Sequence, residues 1–344
     1  MTVIIRKKIK VLVVDDSLVF REFLARGLAD DPLIEVVATA VDPFDARDKI
    51  IKYEPDVMTL DVEMPRMSGI EFLRRLMPQY PLPVVIISAV SDTVFEAMAA
   101  GAVEFVVKPD PKNGRSLNTV INELKTKVKV AAMANVSQYK KTGATMQSVK
   151  NSCRSGSHGK VIAIGASTGG TEAVLSILKG LSADAPGIVI VQHMPPVFTR
   201  MFAERMNDVT ALTVKEAQSG DRVECGHVFI APGDKHMRLV RTGSGFTVEC
   251  YAGEKVSGHC PSVDVLFESV AREAGAKAIG VLLTGMGQDG AKGLLSMRQA
   301  GARTIGQDEQ SSVVYGMPKV AWQLGAVEKQ AALPAISQLI YSML

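Results

Sequence analysis

At 344 residues the chain has room for about two domains of roughly 100–200 residues each, and at 47% hydrophobic it can bury a core in both. Only 5% of residues are aromatic, so Ala, Val, Ile, Leu and Met carry the burial, which favours α/β layering over an aromatic-rich β-sandwich. The net charge of +3 is uneven: residues 124–160 hold eight Lys or Arg and no acid, which leaves the rest of the chain net acidic and argues against a nucleic-acid-binding face.

The opening MTVIIRKKIK has too short an apolar run for a signal peptide. No uncharged apolar run reaches the ~18 residues of a membrane span, so a cytoplasmic protein without membrane insertion is expected. The four cysteines, Cys153, Cys225, Cys250 and Cys260, form no C-x-x-C pair. Cys225-Gly-His227 and His259-Cys260 fit no familiar zinc spacing, so reduced thiols and ordinary histidines are expected.

Residues 9–124 alternate apolar runs with amphipathic segments. The runs are KVLVV (10–14), IEVVATA (34–40), DVMTL (56–60), PVVIISA (83–89) and VEFVVK (103–108). Between them FREFLARGLAD, PFDARDKIIKY, IEFLRRLM and TVFEAMAAG read as helices, with a last helix from about Leu117. In the first of these, Phe20, Phe23, Leu24 and Leu28 recur at helical spacing and form one face. Five strands alternating with helices predict one parallel sheet covered on both sides. Residues 127–157 break the pattern and read as a flexible basic linker whose first residues can extend the preceding helix. A second α/β unit begins at Lys160. Its strands are VIAIGA (161–166), GIVIVQH (187–193), HVFIAPG (227–233), AKAIGVLLTG (276–285) and RTIG (303–306). MRLVRTGSGFTVECY reads as a β-hairpin turning through Thr242-Gly243-Ser244-Gly245. The predicted domains are 1–126, the linker 127–157, and 158–344, the last doubly wound with a mostly parallel sheet.

In an open parallel sheet, ligands bind outside the carboxyl ends of the strands. Asp15 and Asp16 follow VLVV, Asp61 follows VMTL, Ser88 follows VVII and Lys108 follows FVV. Three carboxylates gathered there repel one another unless a cation joins them, and an all-oxygen set suits Mg²⁺. The segments VLVVDDS, LDVEMPRMSG, VIISA and EFVVKP resemble the flavodoxin-like receiver domain of two-component response regulators, over the whole of 9–124. The resemblance implies that Asp61 accepts a phosphoryl group from a histidine kinase. It implies that Asp16, Asp61 and the backbone carbonyl of Glu63 hold Mg²⁺, with Asp15 acting through a water. Lys108 would pair with the phosphoryl oxygens and Ser88 hydrogen-bond to them. Phe105 falls where the family keeps a rotameric aromatic, here without a tyrosine hydroxyl.

The second unit opens with VIAIGASTGG, an apolar strand entering a Gly-rich turn before a helix. Such a turn can cradle a phosphate. However, no Lys completes a P-loop, and Ser167 stands where G-x-G-x-x-G needs its second Gly. Gly165 to Gly169 also fits G-x-S-x-G, which makes Ser167 a candidate nucleophile in need of a base and an orienting group. His193 ends the next parallel strand and is the candidate base. Asp289, after the Gly-rich loop following AKAIGVLLTG, is the candidate orienter; it could equally N-cap the helix that follows, and Asp308 is its rival. The order Ser, His, Asp differs from the Ser, Asp/Glu, His order of α/β-hydrolases, so the spelling does not imply that fold.

GASTGG, QHMPP, APGDKHM, PSVDVLFES and LLTGMGQDGAKG together resemble the catalytic domain of the chemotaxis response-regulator protein-glutamate methylesterases, across 160–344. The resemblance implies a Ser167–His193–Asp289 triad, a Thr168 that helps place the histidine, and a loop N–H at Met286 facing the oxyanion. It implies methyl-accepting chemoreceptors as substrates, receptor glutamine deamidation as a second activity, and no cofactor for the esterase step. One departure is visible: Cys260 precedes Pro261 where the family usually carries Arg, which puts a charge contact near the cleft in doubt. A DNA-binding regulator is the main rival in another class, but the near-balanced charge and strand-rich pattern after residue 160 fit it poorly. A binding module without activity and a Rossmann dehydrogenase are the others, disfavoured by the intact Ser/His/Asp set and by the missing glycine.

Overall fold

The computed structural model describes residues 7–89, 92–109, 116–140, 159–243 and 245–344. Cys153 and the greater part of the expected linker lie outside the described residues. The chain folds as two compact units, Met1–Ala144 and Thr145–Leu344.

The first unit runs β1 (Ile9–Val14), α1 (Leu18–Ala29), β2 (Ile34–Ala40), α2 (Pro43–Tyr53), β3 (Val57–Asp61), α3 (Gly69–Leu76), β4 (Val84–Ser88), α4 (Asp92–Ala99), β5 (Glu104–Val107) and α5 (Leu117–Ala131). All pairings are parallel, in the order β2-β1-β3-β4-β5. The chain reverses direction across the sheet at β1 and β3, which opens a crevice at their carboxyl ends. Leu12, Met58, Leu60 and Ile86 are buried from the sheet, and Leu24 and Leu28 cover it from α1. Hydroxyl and carboxylate caps start the helices: Ser17, Asp42, Ser68 and Ser116 each accept a backbone N–H of their helix's first turn. The last helix runs past residue 126 to Ala131, and a short 3-10 turn follows at Ser137–Lys140.

The second unit runs β6 (Val161–Ala166), α6 (Gly170–Lys179), β7 (Gly187–Gln192), α7 (Phe198–Val209), β8 (Thr213–Glu216), β9 (His227–Ile230), β10 (His236–Thr242), β11 (Gly245–Tyr251), α8 (Val263–Ala274), β12 (Ala278–Leu282), α9 (Ala291–Gln299), β13 (Arg303–Gln307), α10 (Met317–Gln323), β14 (Lys329–Ala331) and α11 (Leu333–Met343). Seven strands form one parallel sheet, ordered β14-β13-β12-β6-β7-β9-β8. From β6 the chain first adds β7 on one side and later adds β12 on the other, so the ends of β6, β7 and β12 face one crevice. The hairpin β10–β11 is separate and packs on α8, where Ser269 Oγ accepts the Leu239 N–H at 2.9 Å. Phe267 of α8 is fully buried in the core that joins sheet and hairpin. Among the described residues no helix is long and apolar enough to cross a membrane.

Candidate active site

Ser167 leaves the end of β6 and His193 the end of β7. The register Ala166↔Gln192 makes them the next residues on adjacent strands, and the His193 N–H donates to the Ala166 carbonyl at 3.1 Å. Ser167 is held through its backbone: its N–H donates to the Thr284 carbonyl at 3.0 Å, and its carbonyl accepts from Gly170 N–H at 2.7 Å and from Gln192 Nε2 at 2.9 Å. Gly285 allows that fit, because a Cβ there would lie 2.6 Å from Ser167 Cβ. Buried Thr284 ties the loops together by donating from Oγ1 to the Thr168 carbonyl at 2.9 Å and accepting the Val314 N–H at 2.9 Å. Thr168 itself is buried.

The His193 side chain is 8% exposed, and its Nε2 lies 2.8 Å from Asp289 Oδ2. A carboxylate can only accept, so Nε2 carries a proton, and in the neutral ring the lone pair sits on Nδ1. Nδ1 is buried and has no hydrogen-bond partner, and Ser167 Oγ makes no hydrogen bond to the ring. The serine and the imidazole are thus neighbours without a formed contact, as catalytic pairs often are before substrate arrives.

Asp289 does not cap α9, whose N-cap is Gly290 with no side-chain bond. It caps α8 instead. Val263 N–H donates to Oδ2 at 2.7 Å, Asp264 N–H to Oδ1 at 3.0 Å, and Ser262 Oγ to Oδ1 at 2.7 Å. Burial would raise the Asp289 pKa, but His193 and these donors outweigh it and hold the carboxyl below its ordinary value. The neighbouring Asp264 is pushed up, first by burial, although Gly293 N–H donates to it at 2.8 Å. Asp308, the rival orienter, accepts only from its own turn, from Ser311 N–H at 3.0 Å and Ser311 Oγ at 2.6 Å. Met286 is 41% exposed on the loop after β12, whose Gly285 carbonyl accepts the N–H groups of Gly316 and Met317 at 3.1 and 2.8 Å.

Ser262, Thr284, Gln192 and His259 also belong to this site, and sequence reasoning does not single them out. Ser262 is legible in part, as a helix-capping serine within PSVDVLFES. Nothing local marks the others: His259 looks ordinary in sequence, yet its ring stacks on that of His193 with centroids 3.7 Å apart.

The first unit gathers a second set. Asp15 and Asp61 are buried and Asp16 is exposed, and one carboxylate oxygen of each lies within 4.8 Å of the others. Lys108 Nζ reaches Asp61 Oδ2 at 2.6 Å and Asp15 Oδ2 at 3.2 Å. Burial pushes Asp61 up to about 6 against the pull of Lys108, with Asp15 adding repulsion. Lys108 is lowered by burial but raised more by Asp61 and Asp15, and ends above its ordinary value. Arg21 is buried behind the acids and donates to the Asp15 carbonyl at 2.6 Å. Gly69 must lack a side chain, since a Cβ would lie 2.0 Å from the Asp61 carbonyl oxygen. Ser88 ends β4 with its Oγ 3.1 Å from Thr93 Oγ1. Phe105 is buried on β5 under Lys127 Nζ, 4.5 Å from the ring centroid. Glu63 is exposed, and its N–H donates to Asp61 Oδ1 at 3.3 Å. Among the described residues, this is the one group of His, Cys, Asp and Glu side chains placed to hold a metal; Cys225, Cys250 and Cys260 are free thiols.

The family described as CheB methylesterase matches residues 162–340, and the response regulator receiver domain family matches residues 11–122. The chain is 61% identical over 338 residues to protein-glutamate methylesterase/protein-glutamine glutaminase 2 of Syntrophomonas wolfei, covering 98% of both chains. It is 47% identical to the Salmonella typhimurium protein-glutamate methylesterase/protein-glutamine glutaminase, over 96% of this chain and 95% of that one. Among solved structures, the Thermotoga maritima CheB methylesterase catalytic domain is similar at a TM-score of 0.53 and 36% identity, over 54% of this chain and 99% of that one.

Proposed function

Since the chain belongs to the CheB methylesterase family and carries a response-regulator receiver domain ahead of the esterase domain, we propose that it is a cytoplasmic, phosphorylation-controlled hydrolase of glutamate methyl esters on chemoreceptors. Residues 1–126 form the receiver, 127–157 the linker and 158–344 the catalytic domain in this reading. The observation that carries it is the His193 ring: proton committed to Asp289 through Nε2, lone pair on a buried, unpartnered Nδ1, one strand across from Ser167.

Ser167 Oγ attacks the side-chain ester carbonyl while His193 Nδ1 takes its proton. Asp289 holds the ring's tautomer and balances the imidazolium. The negative charge on the carbonyl oxygen meets the Met286 N–H, and Thr168 keeps the loop beside the nucleophile in place. As the C–O bond breaks, His193 returns the proton to the departing methoxide, which leaves as methanol. Water, deprotonated by the same nitrogen, then cleaves the acyl-serine to glutamate and free Ser167. A glutamine amide follows the same course with ammonia leaving, which supports receptor deamidation as the second activity. In methanol-release assays on methylated receptor, Ser167→Ala is expected to lower kcat by at least about 10³-fold. Near-normal turnover would refute the assignment.

In the receiver, Asp61 is the phosphoryl acceptor from a histidine kinase. Asp16, Asp61 and the Glu63 carbonyl would hold Mg²⁺, with Asp15 acting through water. The residues fit that ion: the donors are hard oxygens, and one carboxylate oxygen each of Asp15, Asp16 and Asp61 lies within 4.8 Å of the others. Mg²⁺ would supply positive charge that lets a carboxylate approach a phosphate. Lys108 and Ser88 would bind the oxygens of the new phosphoryl group, and buried Phe105 would report its arrival by changing rotamer. Unphosphorylated receiver restrains the esterase, and phosphorylation releases it.

A further inference from the structure

His259 has no part in the mechanism above, yet its ring lies on that of His193 with centroids 3.7 Å apart and planes 8° from parallel. A tight reversal presents it. Val256 and His259 exchange both backbone hydrogen bonds, at 3.0 and 2.9 Å, around Ser257 and Gly258. Those two residues have φ of 51° and 85°, the left-handed pair that a type I′ turn requires. Ser257 Oγ donates to Asp264 Oδ2 at 3.1 Å, which ties the turn to the start of α8. The turn that carries the ring covering His193 is therefore tied to the helix whose N-terminus holds Asp289.

A single hydrogen bond through Nε2 holds one edge of an imidazole and leaves χ2, a broad torsion in histidine, weakly defined. A parallel ring at van der Waals distance closes off rotation about it. We propose that His259 is a positioning residue for the base: its flat face holds His193 in the plane where Nε2 meets Asp289 and Nδ1 is left for Ser167, and it covers the imidazolium formed in turnover. This rests on the Ser167–His193–Asp289 reading. The charge state agrees with the geometry. Burial, with His193 and Lys255 adding repulsion and Asp289 opposing, brings His259 down to about 4, so the ring is uncharged at neutral pH. An uncharged aromatic face attracts a cation, whereas a protonated one would repel it. The titratable groups facing His259 are His193 after β7, Asp289 after β12 and Lys255 on its own loop.

The test uses the full chain and methylated receptor, with kcat and KM measured separately across pH. His259→Ala is expected to lower kcat about tenfold to hundredfold with KM little changed, by analogy with groups that orient a metal-bound histidine from its outer shell. His259→Phe keeps a flat face and should retain most of the kcat, whereas His259→Leu fills similar space without a flat face and should not. His259→Arg keeps a flat face but brings a permanent cation, which disfavours the imidazolium and should move the acid limb of kcat/KM to lower pH. Unchanged kcat in His259→Ala, or loss in His259→Phe as large as in His259→Ala, would overturn the proposal. If His259→Ala does not fold, identical acid limbs for the Arg and Phe variants would overturn it instead. Ser167→Ala and His193→Gln in the same assay separate the two claims. Turnover surviving in them sinks the triad itself; turnover lost in them but kept in His259→Ala sinks the stacking role alone.

Discussion

Asp61 and Asp289 are both 1% exposed at the carboxyl end of a parallel sheet, yet their acidities move in opposite directions. Asp61 has Lys108 at 2.6 Å, a long bond from Glu63 N–H at 3.3 Å and the like charge of Asp15 nearby, and burial wins. Asp289 has four donors, from Ser262, Val263, Asp264 and His193, all within 3.0 Å, and burial loses. The number of donors pointed at a buried anion, not its burial, decides the sign. The fully ligated carboxylate is a fixed charge suited to orienting a base. The under-ligated one lies beside two further carboxylates, whose mutual repulsion a bound cation would relieve.

Four expected outcomes press on that contrast. Asp289→Asn keeps the shape but cannot fix the His193 tautomer, and kcat should fall by about 10⁴; a loss below tenfold in a steady-state assay would mean that Asp289 is not the orienting charge. Next, Asp61→Asn should take up no phosphoryl group from a radiolabelled phosphodonor and should lose the phosphodonor-dependent rise in esterase rate while keeping the basal rate. A basal rate that falls with it would break the separation of the two sites. Removing one donor from the ligated carboxylate tests the count directly: Ser262→Ala also loses a helix cap, so unfolding should show a loss of about 0.5–2 kcal/mol, and esterase assays a fall of about tenfold. Ser262→Thr should restore both. The smallest effect is on stability against pH. His259 is protonated at its ordinary 6.5 in the unfolded chain and only near 4 in the folded one, so the unfolded state binds more protons between those values and stability falls as pH drops through the window. His259→Phe should flatten that part of a melting-temperature profile, and a difference from the unmodified chain that does not vary with pH would count against it.

Much of this is legible from residues alone. The strands of the first unit carry near-continuous apolar runs, as buried parallel strands must, and Asp15, Asp61, Ser88 and Lys108 can be placed at strand ends by counting. In the second unit β8, TVKE, and β14, KQA, escape notice in the sequence because they are short, polar edge strands whose pairing is decided by their neighbours β9 and β13. Several strands are shorter than their apolar runs: AKAIGVLLTG yields a strand only over Ala278–Leu282, since Leu283 to Gly285 turn into the loop that supports Ser167. Asp289 lies beyond β12 as its position in the chain requires, but the helix it caps is α8 rather than the α9 that follows it.

The amino-acid order by itself determined the two α/β units, the basic stretch between them, a serine and a histidine each just beyond a parallel strand, and an aspartate after the Gly-rich loop of a third. Those follow from periodicity and from turn chemistry, which act over a few residues. Only the tertiary structure decided that β12 docks beside β6, that Asp289 lies in the N-terminus of α8, and that His259 covers His193. Each joins segments many residues apart, and no local preference encodes a contact whose two halves meet only once the sheet has closed its order.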